Sequence, residues 1–130
     1  MLWYETASIT EKKNSTKRIE FHLKNFKNYQ AAILNIERQL EKRSAHHLDH
    51  MTRKKLEEQK NQYVLIVACI ETALKELDEI EKQLIDYKYF RDWRMAKCAM
   101  EIGYSEKTLF LMKRQLMDQL LISLAAITNI

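Results

Sequence analysis

The chain contains no proline and only one glycine, Gly103, in 130 residues. Proline and glycine are the two residue types that most strongly disfavour the interior of a helix, so little in this sequence forces a helix to end. Hydrophobic residues make up 46% of the chain, which is enough apolar material for a core. The sequence therefore predicts an all-α protein in which Gly103 marks a turn.

The first half of the chain has the apolar spacing of a long amphipathic helix. We expect residues 1–13 to form a partly ordered arm, and Asn14, Ser15 or Thr16 to cap a helix that continues to about Arg43. Its apolar stripe repeats at alternating spacings of three and four and consists of Ile19, His22, Phe26, Tyr29, Ile33, Ile36 and Leu40, widened by Leu23 and Leu34. The stripe is interpreted as a core face, with His22 packed in it or at its rim.

A second heptad pattern predicts a partner for this helix. It begins near Asp49 or Thr52, after the connecting segment Ser44–Met51, and continues without a breaker to Phe90. The repeating positions are Leu56, Tyr63, Ile70, Leu77 and Leu84. We expect the two helices to form an antiparallel hairpin, and the end of the second helix to brace a C-terminal module. The domain boundary, between residues 1–72 and residues 73–130, would then lie within an uninterrupted helix.

The stretch Arg91–Leu120 has the pattern of two helices joined by a tight turn. Met95, Cys98, Ala99 and Ile102 share one face of the first helix, and Gly103 supplies the residue that tolerates positive φ. Ser105 is the expected N-cap of the second helix. The buried stripe of that helix is predicted to be Leu109, Met112, Leu116 and Leu120. A rotation by one residue, which would bury Phe110 and expose Met112, is the alternative.

A family resemblance in the C-terminal part is carried by Tyr87–Phe90, Ala99, Gly103, Tyr104, Ser105, Thr108, Leu116 and Leu120. In the order and spacing of these residues, this part resembles region 4 of bacterial sigma factors and, more narrowly, the ArpU/RinA-type phage transcriptional regulators. The resemblance covers about 50 residues well, and Ile9–Lys17 is also similar to the start of ArpU-type proteins. Arg94 departs from the pattern, since a serine or threonine cap is usual there, and Phe110 and Leu111 make the second helix unusually apolar.

The resemblance implies a sequence-specific regulator of transcription that binds double-stranded DNA, encoded by a phage or prophage and controlling late genes. With Leu109, Met112 and Leu116 facing inward, the other side of the second helix would face the major groove. The expected base-reading residues are Ser105, Glu106, Lys107, Phe110, Leu111 and Arg114. The expected phosphate-binding residues are Arg91, Arg94, Lys97 and Lys113.

Charge is distributed unevenly along the chain. Residues 11–60 carry 13 basic and 7 acidic residues, residues 61–90 carry 3 and 6, and residues 91–130 carry 6 and 4. The basic excess permits binding to nucleic acid without requiring it. The acidic residues between positions 71 and 86 are interpreted as a solvated face, with a basic surface of RNA polymerase as the alternative partner.

The remaining features exclude several classes of protein. We expect no membrane span, no signal peptide, no cofactor and no enzymatic activity, and a cytoplasmic location in which Cys69 and Cys98 stay buried thiols. The histidines of the segment Ser44–Met51 are interpreted as a solvated loop, because structural zinc usually takes four ligands and no cysteine lies nearby.

The end of the chain, from Leu120 to Ile130, is nearly uncharged. These residues are too few to cross a bilayer, so they must pack on the hairpin core or form a homodimer. An alternative function also remains, a helical adaptor that binds RNA polymerase or another regulator without reading DNA. The apolar residues Phe110 and Leu111 favour that alternative.

Overall fold

A computed structural model of the protein describes residues 8–41 and 49–130. Within these ranges the secondary structure is entirely helical, which confirms the all-α prediction. The α-helices are α1 (Ile9–Lys24), α2 (Phe26–Glu41), α3 (His50–Lys75), α4 (Glu79–Ile85), α5 (Met95–Ile102) and α6 (Glu106–Ser123). A π-helical turn, Asp86–Phe90, continues α4, and a 3-10 turn, Ala125–Ile127, follows α6.

The first helix begins earlier than the sequence predicted. Ser8 is its N-cap, and the Ser8 hydroxyl accepts a hydrogen bond from the amide of Glu11 at 3.1 Å. The predicted cap at residues 14–16 is therefore wrong, and residues 9–13 are helical rather than part of an arm. The rest of the expected arm, residues 1–7, lies outside the described residues.

The predicted first long helix is interrupted at Asn25. The Asn25 side-chain amide donates to the carbonyl of Phe21 at 2.8 Å, and its oxygen accepts from the side chain of Asn28 at 3.1 Å. Asparagine offers the backbone these local alternatives to helical hydrogen bonds, which is why the helix can stop here without glycine or proline. α1 and α2 are therefore separate helices.

Helices α2 and α3 form the predicted antiparallel hairpin. The rings of Tyr29 and Tyr63 are stacked with their centroids 5.4 Å apart, and Lys60 forms an ion pair with Glu37 at 3.5 Å. The expected start of the second helix is confirmed, because the Asp49 carboxylate accepts a hydrogen bond from the Thr52 amide at 2.6 Å. The connection between α2 and α3, residues 42–48, lies outside the described residues.

The predicted second long helix is also interrupted, between α3 and α4. Asp78 and Glu81 form a capping box: the Asp78 carboxylate accepts from the Glu81 amide at 2.8 Å, and Glu81 accepts from the Asp78 amide at 3.1 Å. This reciprocal arrangement starts a new helix. The expectation that an uninterrupted helix joins the hairpin to the C-terminal module is therefore wrong.

One hydrophobic core joins the base of the hairpin to the C-terminal helices. Its members come from all six of the described α-helices and from the π-helical and 3-10 turns, on both sides of position 72. The apolar end of the chain belongs to this core, as the hairpin-capping alternative predicts. The buried residues of the C-terminal segment are Leu120, Leu121, Leu124 and Ile127.

His22 connects this C-terminal segment to α1 and α2. Its Nε2 lies 3.2 Å from the carbonyl oxygen of Ile127, and its Nδ1 lies 2.7 Å from the hydroxyl of Tyr29. A carbonyl only accepts, so Nε2 carries the hydrogen and Nδ1 accepts from Tyr29. His22 is 2% exposed, which agrees with the packed position that its spacing predicts.

Within the described residues, the structure has no helix whose length and apolar content would let it span a membrane.

Candidate nucleic-acid interface

Helices α5 and α6 are joined by the tight turn that the sequence predicts, and we call Met95–Ser123 the α5–α6 unit. Gly103 adopts φ +88°, and its amide donates to the carbonyl of Ala99 at 2.8 Å. The Tyr104 amide donates to the same carbonyl at 3.2 Å. Ser105 then caps α6, since its hydroxyl oxygen accepts from the Thr108 amide at 3.1 Å. The turn at Gly103 and the cap at Ser105 are both confirmed.

The orientation of α6 also agrees with the prediction. Leu109 and Leu116 are buried in the core and Met112 packs against it, whereas Phe110 is 50% exposed. The alternative rotation, with Phe110 inside, is wrong. Met117, seven residues after Phe110 on the same line of the helix, is buried, so Phe110 lies at one edge of the exposed side. That side continues along α6 through Asp118 and Ile122.

All six of the expected base-reading residues are exposed. Leu111 is 51% exposed, and its apolar side chain meets solvent beside Phe110. Ser105 is exposed too, but its hydroxyl donates to the Thr108 hydroxyl at 2.8 Å as well as capping the helix. It therefore has no second hydrogen to offer a base. The exposed residues of the expected set are Ser105, Glu106, Lys107, Phe110, Leu111 and Arg114.

The candidate phosphate-binding cations before and within α5 differ in their surroundings. Arg91 pairs with Asp86 at 3.1 Å and lies over the rings of Tyr87 and Trp93. Lys97 lies over Trp93, with its Nζ 4.0 Å from the ring centroid. These contacts hold the charge of each side chain in one place while leaving it exposed to solvent.

Arg94 is the cation of this set with the fewest constraints. It is exposed, and it forms no ion pair with the acidic residues of the described ranges. It occupies the N-cap position of α5, where its side chain makes no capping hydrogen bond. The N-terminus of α5 therefore presents backbone amides beside two cations, Arg94 and Lys97, an arrangement that favours an anion.

Lys113, the fourth expected phosphate-binding residue, already has an acidic partner. Its Nζ lies 3.5 Å from Glu20 of α1, and the same carboxylate oxygen accepts a hydrogen bond from the Tyr89 hydroxyl at 2.7 Å. Burial and the contact with Glu20 raise the pKa of Tyr89, so this phenol stays protonated and keeps donating. Glu20 thus joins α1, the π-helical turn and α6.

The sequence interpretation missed the part that α1 plays beside α6. A shallow groove of about 290 Å³ separates the two helices. Since α1 precedes α6 by some 90 positions, no local pattern could have linked them. The groove is lined by Thr16, Glu20, Phe110, Lys113, Arg114, Met117 and Asp118.

The acidic residues between positions 71 and 86 serve mainly local structure. Asp78 and Glu81 form the capping box, and Asp86 pairs with Arg91. Glu79 pairs with Lys82 at 3.7 Å. The contact of this segment with a basic partner stays a prediction.

Metal-binding side chains do not cluster in the part of the chain that the structure describes. No group of three or more histidine, cysteine, aspartate or glutamate residues is placed to hold an ion there. His46 and His47 of the segment Ser44–Met51 lie outside that part, and Asp49 serves as a helix cap. Cys69 and Cys98 are free thiols, and burial raises the pKa of Cys98.

Comparison with protein-family models, curated proteins and solved structures found no significant match to this chain.

Proposed function

We propose that this protein is a sequence-specific regulator of transcription that binds double-stranded DNA through the α5–α6 unit. The observation that carries the proposal is the position of α6. Leu109 and Leu116 fix it on the core, while its first turns project Lys107, Phe110 and Arg114 into solvent. In helix-turn-helix proteins, the second helix enters the major groove and uses its N-terminal residues to contact bases.

The exposed side chains of α6 have the chemistry needed to distinguish base pairs. Arg114 and Lys107 donate to the O6 and N7 atoms of guanine, and Glu106 accepts from N4 of cytosine. Phe110 and Leu111 make apolar contacts with the methyl group of thymine. Lys107 and Arg114 are seven positions apart, two turns of helix, so both reach the same groove.

Phosphate contacts would come from the start of α5. Arg94 and Lys97 flank its N-terminus, where the backbone amides add a partial positive charge. Arg91 approaches a phosphate while keeping its stacking against Trp93. Lys113 has Glu20 as a partner, so its phosphate contact requires exchange of that ion pair. These contacts set the position of α6 without reading sequence.

The resemblance to ArpU/RinA-type regulators gives the proposal its biological setting. This resemblance favours a phage or prophage protein that controls late genes and acts in the cytoplasm. Such a protein contacts RNA polymerase and has no catalytic activity. A homodimer on paired half-sites would raise affinity in the way common to this class.

The proposal is tested by selecting a preferred duplex from a random pool and measuring its affinity with that of a random duplex. Arg114→Ala should weaken binding to the preferred duplex by about 1–3 kcal/mol and change binding to random DNA less. Gln115→Ala, an exposed neighbour on the opposite flank of the reading face, is the matched control and should leave both affinities unchanged. Equal losses on both duplexes would mean that Arg114 does not read a base.

Substitution of the phosphate-binding residues should weaken DNA binding in a different way. Arg94→Ala should weaken binding to all duplexes alike and reduce the slope of log K against log salt by about one unit. A wild-type chain that binds no duplex even at low salt would disprove the DNA-binding function.

The second candidate function is a helical adaptor that binds RNA polymerase or another regulator. Exposed apolar side chains on the α5–α6 unit favour it, since Met100 is 81% exposed and Phe110 and Leu111 are each about half exposed. Titration of purified bacterial RNA polymerase tests this candidate directly. If Phe110→Ala and Leu111→Ala abolish that binding while no duplex is bound, the adaptor is the better description.

A further inference from the structure

Three exposed lysines of α1, Lys13, Lys17 and Lys24, form what we call the α1 strip. At 3.6 residues per turn they lie within about 40° of one another around the helix, along about 16 Å of its length. None of the three forms an ion pair with an acidic residue in the described parts of the chain. The strip is therefore a line of positive charge with no protein partner in residues 8–41 and 49–130.

The α1 strip lies next to the exposed side of α6. Glu20 lines the groove that contains Phe110 and Arg114, and it also lines a shallow depression formed with Lys17, Phe21 and Lys24. Glu20 lies in the same row of α1, three residues after Lys17 and four before Lys24, so the row borders the face of α6 proposed to read bases.

The distance between the two surfaces is fixed by the structure. Glu20 accepts from Tyr89 and pairs with Lys113, so α1 is held against both the π-helical turn and α6. The buried residues Ile19 and Leu23 anchor the opposite side of α1 in the core. The strip and α6 therefore approach a ligand as one rigid surface.

The charge between the two surfaces does not oppose an anion strongly. The groove at this boundary is lined by two acidic residues, Glu20 and Asp118, and by two cations, Lys113 and Arg114, so its charges balance. Glu20 is paired with Lys113 at 3.5 Å. The side chains of the strip are lysines, which act as point charges and do not have the planar fork that arginine uses to recognise guanine. A line of such charges suits a sugar-phosphate backbone better than base edges.

We propose that the α1 strip binds the DNA backbone beside the major groove that α6 enters, and so forms a second phosphate-binding surface. This inference rests on the proposed DNA-binding function and adds α1 to the interface. Each lysine that neutralises one phosphate releases counterions. Each such contact adds about 0.9 units to the slope of log K against log salt, which we call the salt slope. The strip should therefore supply between two and three units of the total slope without changing sequence preference.

The test compares two triple variants of the whole chain that lose the same charge. Lys13→Gln, Lys17→Gln and Lys24→Gln remove the strip, whereas Arg38→Gln, Lys54→Gln and Lys55→Gln remove three exposed cations from α2 and α3. Glutamine is a good helix former, and the circular dichroism melt of each variant checks that it folds. Affinities for the preferred and random duplexes are measured over a range of salt concentrations.

The strip variant should lose about two to three units of salt slope on both duplexes and keep the wild-type ratio of their affinities. The control triple should retain the wild-type slope. Lys17→Gln alone should remove about one unit, which guards against an effect of triple substitution on folding.

Four results would overturn the inference. Equal slope losses in the two triple variants would show a general charge effect, and a loss confined to the preferred duplex would make the strip a base reader. If the strip triple binds like the wild-type chain while Arg114→Ala loses specificity, the proposed function survives and only the role of α1 fails. If the wild-type chain binds no DNA, both proposals fail together.

Discussion

The α2–α3 hairpin and the rest of the molecule have apolar residues at similar spacings. They bury those side chains to different depths. We call α1, α4, α5, α6, the π-helical turn Asp86–Phe90 and the turn Ala125–Ile127 the body. Among the described residues, α2 has only two buried side chains, Phe26 and Ile36, and α3 has none before Ile66. The body holds nearly all the side chains with almost no exposure, from Ile19 in α1 to Ile127.

The difference follows from the number of neighbours that each helix has. In a pair of helices each stripe meets one partner, so its flanks stay open to water, whereas a helix of the body meets several elements and loses water on more sides. Apolar spacing therefore predicts which face is turned inward but not how deeply it is buried. The stability of the protein should lie mainly in the body.

The largest expected difference in the free energy of unfolding comes from truncating a leucine to alanine in each of the two regions. Leu84→Ala in α4 should lower the free energy of unfolding by about 2–5 kcal/mol, because Leu84 is fully buried and a cavity would remain. Leu56→Ala in α3 should cost about 1 kcal/mol, because its side chain is only half-buried. Urea denaturation of both variants measures the contrast, and equal losses would contradict it.

The body also contains the backbone position that is most sensitive to substitution. An added Cβ at Gly103 would meet nothing within 4 Å, so the loss expected for Gly103→Val comes from its φ of +88°. That conformation should cost about 1–2 kcal/mol for a residue with a side chain. Gly103→Asn is the matched control, since asparagine tolerates positive φ, and it should cost clearly less by thermal denaturation. Similar losses in the two variants would mean that φ does not govern this site.

The sequence predicted the features of the fold that depend on apolar spacing and on glycine. The inward face of α6, the turn at Gly103 and the pairing of α2 with α3 all follow from such local patterns. Both interruptions were missed because they depend on polar side chains. Asn25 and Asp78 stop or start helices through hydrogen bonds that do not disturb the apolar repeat. The Asp78–Glu81 spacing does match a capping box and was the available signal.

The candidate interface was only partly predictable for a related reason. Exposure of Lys107 and Arg114 follows from the rotation of α6, which the sequence fixes through Leu109 and Leu116. The pairing of Lys113 with Glu20 depends on how α1 packs on α6, which no spacing within either helix determines. The position of the α1 strip next to α6 depends on the same packing of α1 on α6.

A smaller difference in the free energy of unfolding is expected between two variants that each lose one tyrosine hydroxyl, one in each region. Tyr89 is 1% exposed and donates to Glu20, so Tyr89→Phe should cost about 1–2 kcal/mol through the lost hydrogen bond and a less satisfied carboxylate. Tyr63 accepts only a long contact of 3.3 Å from the exposed Gln59 side chain. Tyr63→Phe should therefore change stability by less than about 0.5 kcal/mol in the same urea assay. A larger loss in the Tyr63 variant would reverse the ranking of the two regions.

The smallest expected change in the free energy of unfolding near neutral pH concerns His22, which lies where the hairpin meets the body. Burial lowers the pKa of His22 below its ordinary value of 6.5, the hydrogen bond to the Ile127 carbonyl opposes this, and Arg18 lowers the pKa further. Tyr29 is the other titratable side chain that contacts the ring, and burial raises its pKa, so it remains a neutral donor. Protonation of His22 would place a hydrogen on Nδ1, against the hydrogen that Tyr29 already donates.

The pH dependence follows from the lowered pKa. Well above pH 6.5 the imidazole is neutral in both the folded and the unfolded state, so His22 adds no pH dependence there. As the pH falls below about 6.5, the unfolded chain takes up a proton that the folded chain still excludes, and the free energy of unfolding decreases. His22→Gln should flatten this decrease between pH 7.5 and 5.5 in urea titrations, because glutamine does not titrate in that range. His50→Gln, at the exposed start of α3, should retain the wild-type decrease, and a flattened profile in that variant would assign the proton uptake to a site other than the junction between hairpin and body.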